Sequence, residues 1–314
     1  MAYTLLAIGP RNERAETAWL SSPSVARVVR QPSRAVTGKR LNNRMLGIGL
    51  DSLLLALRTL HPKIRGPYLA NNPWIAAALR VTGRKNFAVT GIYAEPDSRS
   101  WKVLQKLIGK ASVITLSESE ADAWNADGGH AQAVLYGNTF GYPPKAASEM
   151  FHIFVGGSSD RDQALIDALE GEVLASADAV RLTLAVGGED GIKQALGNIV
   201  YRPGYIDQDR FGALLSSASV VFLPLRSGIR AAGHMVLVGA LECGVPVMIS
   251  PTEGVREYLQ GSAVSAVDVR KPLLPQLQAL AADARNSETE LRRLWEEKFS
   301  LEAYTKRVSS VLSE

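Results

Sequence analysis

The stretch 233-GHMVLVGALECGVPVMIS-250 contains a helix, a sharp turn and a strand in close succession. The apolar run from Met235 to Leu241 predicts the buried body of a helix. A glycine just after a helix permits a left-handed residue, so 243-CGVPV-247 predicts a tight return. Val245 to Ser250 is apolar and rich in strand-forming residues. This order is typical of a parallel sheet covered by helices.

The same alternation of strands and helices extends over the whole chain. Before residue 141, strands are predicted at 3–8, 25–29, 66–71, 87–93, 112–117 and 134–136. Helices are predicted between them at 13–20, 46–60, 74–81, 101–108 and 118–126. After residue 150, strands are predicted at 151–155, 180–186, 199–201, 219–224 and 245–250. Helices are predicted there at 163–174 and 208–218, from about 233, and over 288–312 with a break near Ser300.

Two series of this kind predict an α/β protein with two doubly wound Rossmann-like domains that face a cleft. The segment 137-GNTFGYPP-144 is rich in helix and strand breakers, and it separates the two series. We therefore expect domains at 1–146 and 147–296, followed by a C-terminal helix at 297–314.

Composition limits the class of protein. The chain has 314 residues, 46% of them hydrophobic, which is enough for two packed cores. Its single cysteine, Cys243, argues against a disulfide framework and for a reducing compartment. The first residues hold too short an apolar run for a secretory signal, and no run approaches the roughly 18 apolar residues of a membrane span. We expect a soluble, cytoplasmic protein.

Charge is distributed unevenly along the chain. Residues 1–115 contain 18 Lys and Arg against 5 Asp and Glu, a formal charge of +13, although the whole chain carries only +4. One interpretation is ordinary solvated surface charge. The other is attraction to an anionic membrane surface or an anionic acceptor. The absence of a helix-turn-helix pattern, zinc-ligand spacing or an RNA-binding aromatic motif argues against nucleic acid as a partner.

The first loop with candidate chemistry is 156-GGSSDRD-162, between a predicted strand and a predicted helix. Its glycines let the backbone approach a ligand, and the helix N-terminus offers N–H groups to an anion. Arg161 could add a charge-assisted hydrogen bond. The loop lacks the dinucleotide fingerprint and the Walker sequence. The alternative is a simple turn in which Asp160 caps the helix and Arg161 pairs with a nearby acid.

The second loop includes 230-RAAGHM-235, which follows the predicted strand 219–224. A helix that starts at residues 231–233 would point its positive end at a ligand. Gly233 has no side chain to block a phosphate, and His234 can donate a hydrogen bond to it. Arg226 and Arg230 add positive charge. The alternative is that His234 only caps the helix.

These segments together resemble the nucleotide-sugar-binding half of GT-B glycosyltransferases of the family-4-like kind, the glycosyl transferases group 1. The similar segments are FVGGSSDRD, LAVGGED, NIVYRPGYID, VVFLPL and AAGHMVLVGALECGVPVMISPTEGVREYL, and the tail KFSLEAYTKRV resembles the closing helix that crosses back onto the first domain. The resemblance covers residues 151–310. Residues 1–150 share only the strand–helix rhythm and the segment ASVITLSESEADAW.

The resemblance implies that residues 1–146 bind an acceptor and residues 147–296 a nucleotide sugar. It implies transfer of a sugar from a nucleotide-diphosphate donor to a glycan or lipid-linked acceptor, in polysaccharide or glycolipid assembly, without a metal or cofactor. The implied donor-binding residues are Gly156, Gly157, Ser158, Arg161, Tyr205, Arg226, Arg230, Ala232, Gly233, His234 and Met235.

Two departures from the family pattern leave the donor sugar open. The family has two glutamates eight positions apart, and this chain has Ala231 and Gly239 there. The arginine of the family's phosphate loop is replaced by Gly157, and Arg161 falls near its lysine. Two alternative functions therefore stay open: a catalytically silent GT-B-fold binding or scaffold subunit, and a nucleotide-sugar epimerase.

Catalytic and acceptor residues are expected in the first domain. Family-4-like enzymes retain the sugar's configuration, so retention is favoured and needs no dedicated base. If the reaction inverts, a base must come from this domain, and the candidates are Glu95, then Asp97 and Glu118. Glu95 is otherwise a solvated loop acid. Pro10, Arg11 and Asn12 end the first strand and are candidates for contact with the acceptor.

The basic first half also fits enzymes of this fold that act on lipid-linked sugars at a membrane. Peripheral attachment to the inner face of the membrane is therefore the second expectation for location. Leu53 to Leu60, with the basic stretch 61–65, could form part of the membrane-facing surface. The alternative is an ordinary packed helix with a basic end.

Overall fold

The computed structural model describes residues 1–10, 13–33, 41–92, 94–259 and 264–313. The chain divides into two compact units, one made of Met1–Val134 and Tyr304–Glu314 and the other of Leu135–Ala303. Each unit has its own sheet and its own apolar core.

Unit 1 is a sheet of parallel strands covered by helices. Among the described residues its strands are β1 (Tyr3–Ile8), β2 (Val25–Gln31), β3 (Tyr68–Ala70), β4 (Phe87–Val89), β5 (Ser112–Thr115) and β6 (Ala131–Ala133), in the order β2-β1-β3-β4-β5-β6. Its helices are α1 (Glu13–Ser21), α2 (Leu41–Arg58), α3 (Pro73–Val81), α4 (Arg99–Ile108) and α5 (Glu118–Ala126).

Side-chain caps set the starts of three of these helices. Asn72, Ser98 and Ser117 accept hydrogen bonds from the first backbone N–H groups of α3, α4 and α5. Each cap satisfies a donor that a helix leaves unpaired at its N-terminus. In the core, the rings of Trp101 and Trp124 meet edge to face at 4.7 Å.

Unit 2 contains the larger of the two sheets. Its described strands are β7 (Phe151–Gly156), β8 (Val180–Ala185), β9 (Asp190–Ala195), β10 (Asn198–Pro203), β11 (Val220–Leu223), β12 (Val247–Ile249) and β13 (Val264–Ala266), in the order β13-β12-β11-β7-β8-β10-β9. Its helices are α6 (Gln163–Leu174), α7 (Gln208–Ser216), α8 (His234–Cys243), α9 (Leu273–Ala282) and α10 (Glu288–Leu294). A π-helical turn, Trp295–Phe299, precedes the last helix, α11 (Leu301–Val311).

Helix α11 starts in unit 2 and continues into unit 1, to which Tyr304 and the following residues belong. Within unit 1, the ring of Tyr304 packs edge-on against Trp19 at 6.2 Å. The hydroxyls of Thr305 and Ser22 form a hydrogen bond of 2.6 Å. The last residues are therefore part of the packing of unit 1.

Each sheet has a point at which the direction of strand addition reverses. In unit 2 the chain passes from β7 to β8 on one side, and later returns to place β11 on the other side of β7. In unit 1 the same reversal occurs between β1 and β3. Loops at the carboxyl ends of the strands beside such a point form the usual ligand-binding position of these sheets. The predicted α/β class with two Rossmann-like sheets is thus confirmed.

Strand β9 was not predicted from the sequence. It pairs antiparallel with β10 at the edge of the sheet, and most of its residues are exposed. An exposed edge strand tolerates polar residues on both faces, so DGIKQA has no apolar alternation. Glu170 of α6 holds this edge, since it accepts hydrogen bonds from Lys193 of β9 and Arg202 of β10.

Several predicted bounds were also wrong. Helix α2 begins at Leu41 instead of residue 46, because LNNR contributes no apolar periodicity. Strand β6 lies at 131–133 and not at 134–136. Strand β4 ends at Val89, and Tyr93, the predicted end, lies outside the described residues.

Candidate functional site

Two loops of unit 2 lie side by side at the switch point of its sheet. One follows β7 and the other follows β11, and these two strands pair directly. Beyond the strands, Arg161 and Leu225 form an isolated antiparallel bridge. The N–H of Asp162 donates to the carbonyl of Pro224 at 2.9 Å, and the N–H of Arg226 donates to that of Asp160 at 3.0 Å. The two sequence-predicted loops therefore form one structure.

Arg161 holds the first loop in shape. Its side chain is buried, and it donates from Nε and Nη2 to the carbonyl of Gly156, at 2.9 and 2.6 Å, and from Nη1 to that of Ser159 at 2.9 Å. A Cβ at Gly157 would lie 2.7 Å from Nη2. The guanidinium thus occupies the space beside residue 157, which accounts for a glycine where the family has an arginine.

The alternative view of this loop was wrong in its details. Asp162, not Asp160, caps α6, since its carboxylate accepts from the N–H groups of Ala164 and Leu165. Arg161 bonds to carbonyls, although Asp160 does act on it through space. Burial lowers the pKa of Arg161 to about 10, and the nearby Asp160 opposes this shift. The side chain therefore stays cationic at neutral pH.

Asp160 links the two loops electrostatically. It has a left-handed backbone with φ of 57°, which aspartate tolerates better than most residues. Its carboxylate accepts from Nη2 of Arg230 at 2.7 Å and lies 4.0 Å from Nη2 of Arg226. The side chain of Arg226 is 68% exposed. Of the two arginines, Arg226 is therefore the more accessible to a ligand.

The N-terminus of α8 opens onto these loops. The helix begins at His234, one residue beyond the predicted start at 231–233. Gly233 precedes it in the left-handed conformation, with φ of 71°, and provides no side-chain cap. The first backbone N–H groups of the helix are thus available to an anion, and the helix dipole favours one there. Ala232 is partly buried and Met235 is exposed in the same turn.

His234 is an uncharged side chain at neutral pH. Burial is the main cause that lowers its pKa to about 4; the cations of Arg161 and Arg230 lower it further, and a hydrogen bond with the backbone of Ala231 opposes the shift. Its ring packs edge-on against Tyr136 at 4.8 Å. Any contact it makes with a phosphate would be a hydrogen bond from neutral imidazole.

A second feature lies at the ends of β8 and β10. Gly187 and Gly188 follow β8 with φ of 82° and 93°, and Tyr205 follows β10 with an 89% exposed side chain. A Cβ at Gly187 would lie 3.4 Å from the ring of Tyr205. An exposed aromatic face therefore stands beside a glycine backbone, an arrangement suited to stacking on a flat ligand.

The structure also accounts for Gly239, where the family has its second glutamate. A Cβ at residue 239 would lie 2.9 Å from the ring of Tyr142, which also contacts Gly212 of α7. Tyr142 stacks on Phe140 with centroids 4.9 Å apart. Glu242, buried in α8, accepts from the N–H groups of Phe140 and Gly141 at 2.9 and 2.7 Å. An aromatic segment thus covers this face of α8, and no sequence motif signalled it.

The candidate residues of unit 1 follow three of its strands, of which β4 and β5 are neighbours while β1 is separated from them by β3. Glu95 and Asp97 are exposed in the turn between β4 and α4, where Asp97 has φ of 60°. Glu118 is exposed at the first position of α5, three residues after the end of β5. Pro10 is exposed after β1, whereas Arg11 and Asn12 lie outside the described residues. Because β1, β4 and β5 are parallel, these positions share the carboxyl edge of the sheet.

Within the described ranges, no cluster of three or more His, Cys, Asp or Glu side chains is placed to hold a metal ion. Nor does any helix in the described part of the chain combine the length and the hydropathy needed to cross a membrane.

Comparison with known proteins assigns the second unit. Residues 152–283 match the family model described as glycosyl transferases group 1. A search of curated protein sequences gives no significant match. The prediction of a glycosyltransferase, and hence of a transferase enzyme, is confirmed by the family match.

Solved structures show the fold of the whole chain. Sucrose-phosphate synthase from Thermosynechococcus elongatus is similar with a TM-score of 0.69 and 14% identity, over 99% of this chain and 98% of its own. HepE from Anabaena, solved with UDP and glucose, has a TM-score of 0.62 and 14% identity over 99% of this chain and 100% of its own. A putative UDP-N-acetylglucosamine 2-epimerase from Listeria monocytogenes has a TM-score of 0.60 and 12% identity, over 100% of this chain and 96% of its own. The fold is that of GT-B glycosyltransferases.

Proposed function

We propose that this chain, whose residues 152–283 are a glycosyl transferases group 1 domain, transfers a sugar from a nucleoside-diphosphate donor to a glycan or lipid-linked acceptor. The observation that supports this most directly is the pair of loops at the switch point between β7 and β11. They combine the uncapped N-terminus of α8 with the cationic side chains Arg161, Arg226 and Arg230.

The diphosphate is the part of the donor that these loops would bind. Glycine at 233 leaves the first N–H groups of α8 open to phosphate oxygens. Arginine has five N–H groups, and three of those of Arg161 are donated within its own loop. The side chain stays cationic, so its charge would add to the positive field at the phosphate. Arg226 is exposed and would contact it directly.

The base of the donor would stack on Tyr205 beside Gly187. HepE was solved with UDP and with UDP-glucose, so uridine nucleotides are the first donors to test. The remaining donor-binding candidates, Gly156, Ser158, Ala232 and Met235, belong to the same two loops. Gly239 provides no carboxylate for the ribose, so residues other than 239 would have to bind the ribose and select the sugar.

The chemistry of this site is electrostatic. Sugar transfer releases a nucleoside diphosphate, and preorganised positive groups stabilise the charge that develops on it. We therefore propose a metal-independent reaction, with retention of configuration as in the family-4-like enzymes that the sequence resembles. Should the product be inverted, Glu95, Asp97 and Glu118 are the bases to test. We also propose a role in polysaccharide or glycolipid assembly, with unit 1 at an anionic membrane surface.

Thermal stabilisation by nucleotides tests the donor site. UDP, GDP, ADP, dTDP and CMP would be added to the native protein, to Arg226→Gln and to the control Arg285→Gln. The control removes an exposed charge that, within the described residues, pairs only with Asp283. We expect one diphosphate to raise the melting temperature of the native protein and of the control. For Arg226→Gln, the concentration of that diphosphate needed for the same rise should be at least tenfold higher. Equal responses of the two variants would place the nucleotide elsewhere.

Product analysis separates the three functions. A glycosyltransferase should slowly hydrolyse its nucleotide sugar without an acceptor, with release of the nucleoside diphosphate. Interconversion of nucleotide sugars without release would instead indicate an epimerase. If no nucleotide stabilised the protein at millimolar concentration and no turnover occurred, a silent binding subunit would replace the proposal.

A further inference from the structure

Helix α2 of unit 1 presents a row of exposed leucines to solvent. Leu46, Leu50, Leu53 and Leu57 follow one another at steps of four, three and four residues, and Leu60 stands three residues further on, in the turn after the helix. This spacing places residues on one face of a helix. Their exposed fractions lie between 37% and 68%. Such a row is unusual, because large apolar side chains on a soluble surface normally occur singly.

The helix does not need this row for its packing. Its opposite face supplies Asp51, Ser52, Leu55 and Ala56, which are buried against the sheet of unit 1. Leu54, beside the row, is exposed as well. The leucines are therefore an additional apolar surface, and burial within the described part of the chain does not explain them.

The charge around the row has one sign. Arg58, Lys63 and Arg65 are exposed at its C-terminal end, next to the exposed His61. From residue 34 to residue 65 the sequence has seven Lys or Arg and a single acid, Asp51. That acid is buried. Residues 34–65 therefore offer no exposed acid to offset the positive charge around the row.

These observations distinguish between partners. A second copy of the chain would bring the same positive border against this one, and repulsion would oppose the contact. The row is also one helix wide, whereas a stable protein interface buries roughly 800 Å² on each partner. A helix with leucines on one side and lysine or arginine at the border matches the interfacial helices that lie in an anionic membrane surface.

We propose that unit 1 binds anionic phospholipid bilayers through this face of α2, with the leucine row in the acyl region and the basic residues at the headgroups. This proposal extends the membrane part of the proposed function and is independent of the donor site. It defines the membrane-binding surface as Leu46, Leu50, Leu53, Leu57 and Leu60 with Arg58, Lys63 and Arg65.

Flotation with lipid vesicles tests the proposal. The full chain would be mixed with vesicles of phosphatidylcholine alone and with vesicles containing phosphatidylglycerol. We expect binding to the anionic vesicles at least tenfold stronger than to the neutral ones. The triple variant Leu50→Gln with Leu53→Gln and Leu57→Gln should lose at least ninety per cent of this binding, since glutamine keeps helix propensity but removes the apolar row.

A matched control removes exposed apolar side chains from other helices of unit 1. Leu20→Gln with Val81→Gln and Val103→Gln changes residues that are 51%, 80% and 47% exposed, and it should bind vesicles like the native protein. Lys63→Gln with Arg65→Gln should weaken binding and flatten its dependence on salt. Unchanged melting temperatures and nucleotide responses would show that each variant is folded and that its donor site is intact.

Three outcomes would overturn the proposal. The first is a native protein that binds neither kind of vesicle. The second is equal loss of binding in the leucine variant and in the matched control. The third is a native dimer that the leucine variant converts to a monomer, with no binding to vesicles, which would make the row a contact between two copies. Loss of nucleotide binding in the native protein would bear on the donor site alone.

Discussion

Asp160 and Arg230 form an ion pair of 2.7 Å that connects the loop after β7 to the loop after β11. Arg226 lies 4.0 Å from the same carboxylate. A nucleoside diphosphate at these loops would meet two arginines that already face a negative charge. The carboxylate thus connects the loops, and it would compete with a phosphate bound there.

Removal of this charge should favour the diphosphate. In Asp160→Asn the shape and the tolerance of the left-handed backbone are kept, and the ion pair is lost. Because the pair is partly exposed, the free energy of unfolding should fall by no more than about 1 kcal/mol. The dissociation constant of the nucleoside diphosphate, measured by calorimetry, should fall several-fold. Asp167→Asn, an exposed acid on α6, is the control that should change neither quantity. Weaker binding by Asp160→Asn would show that the pair mainly positions the arginines.

Gly233→Ala tests the backbone at the start of α8. The added Cβ would find ordinary contacts, 3.4 Å from Leu223 and Leu225, so the cost comes from the left-handed φ of 71°. We expect a loss of about 1 to 2 kcal/mol in the free energy of unfolding and a weaker nucleotide response. Gly228→Ala in the same loop meets no atom within 4 Å, and it should leave both unchanged. A neutral effect of Gly233→Ala would mean that the loop relaxes freely.

A glutamate at position 239, where the family has one, should destabilise this chain and not act as the family's glutamate does. In Gly239→Glu the Cβ alone would lie 2.9 Å from the ring of Tyr142, so overpacking should cost about 1 to 3 kcal/mol in thermal or chemical unfolding. The double variant with Tyr142→Ala should recover part of this loss, and the two effects should be non-additive. If Gly239→Glu were as stable as the native protein and more active, the ring would not be a fixed part of α8.

Two histidines with lowered pKa values, the buried His152 and the partly buried His234, should make the fold sensitive to acid. His152 accepts from Thr183 at Nε2 and donates from Nδ1 to the carbonyl of Ser217, and burial lowers its pKa to about 4, as it does for His234. Below pH 6.5 the unfolded chain binds protons that the folded one does not. Stability should therefore be complete above pH 6.5 and decrease toward pH 4, by about 2 kcal/mol for each histidine at pH 5.

Urea unfolding at pH 7 and pH 5 measures this loss. His152→Gln keeps a donor and an acceptor without a titratable group, so its stability should change less between the two pH values than that of the native protein. An equal pH dependence in the variant would show that His152 takes up a proton in the folded state without difficulty.

The sequence predicted the parts of the fold that are buried in the two sheets. Strands such as β1 and β7 are nearly continuous apolar runs, and breakers such as Gly9-Pro10 end them. The prediction failed at edges. β9 has solvent on most of its surface, and β6 is a three-residue edge strand, so the pattern of apolar residues is too weak to locate either.

Of the site, the sequence predicted the loops but not the contacts inside them. Glycines next to an expected helix start indicated a place for an anion, and the structure brings both loops together at the switch point. The sequence did not indicate that the side chain of Arg161 turns back to bond with Gly156, or that Asp160 forms an ion pair with Arg230. The second contact joins loops 70 residues apart in the chain, and the first requires a charged side chain to bury itself against its own loop. The donor, acceptor and catalytic assignments stay predictions.

The course of helix α11 has a consequence for how the protein is made. Unit 2 is one uninterrupted stretch of sequence, whereas unit 1 needs Tyr304 and the residues after it. During synthesis, all residues of unit 2 are therefore made before the C-terminal residues that belong to unit 1. Unit 1 can therefore complete its packing only after all of unit 2 has been synthesised, whereas N-terminal domains usually finish folding first. Deletions at the C-terminus should damage the beginning of the chain first.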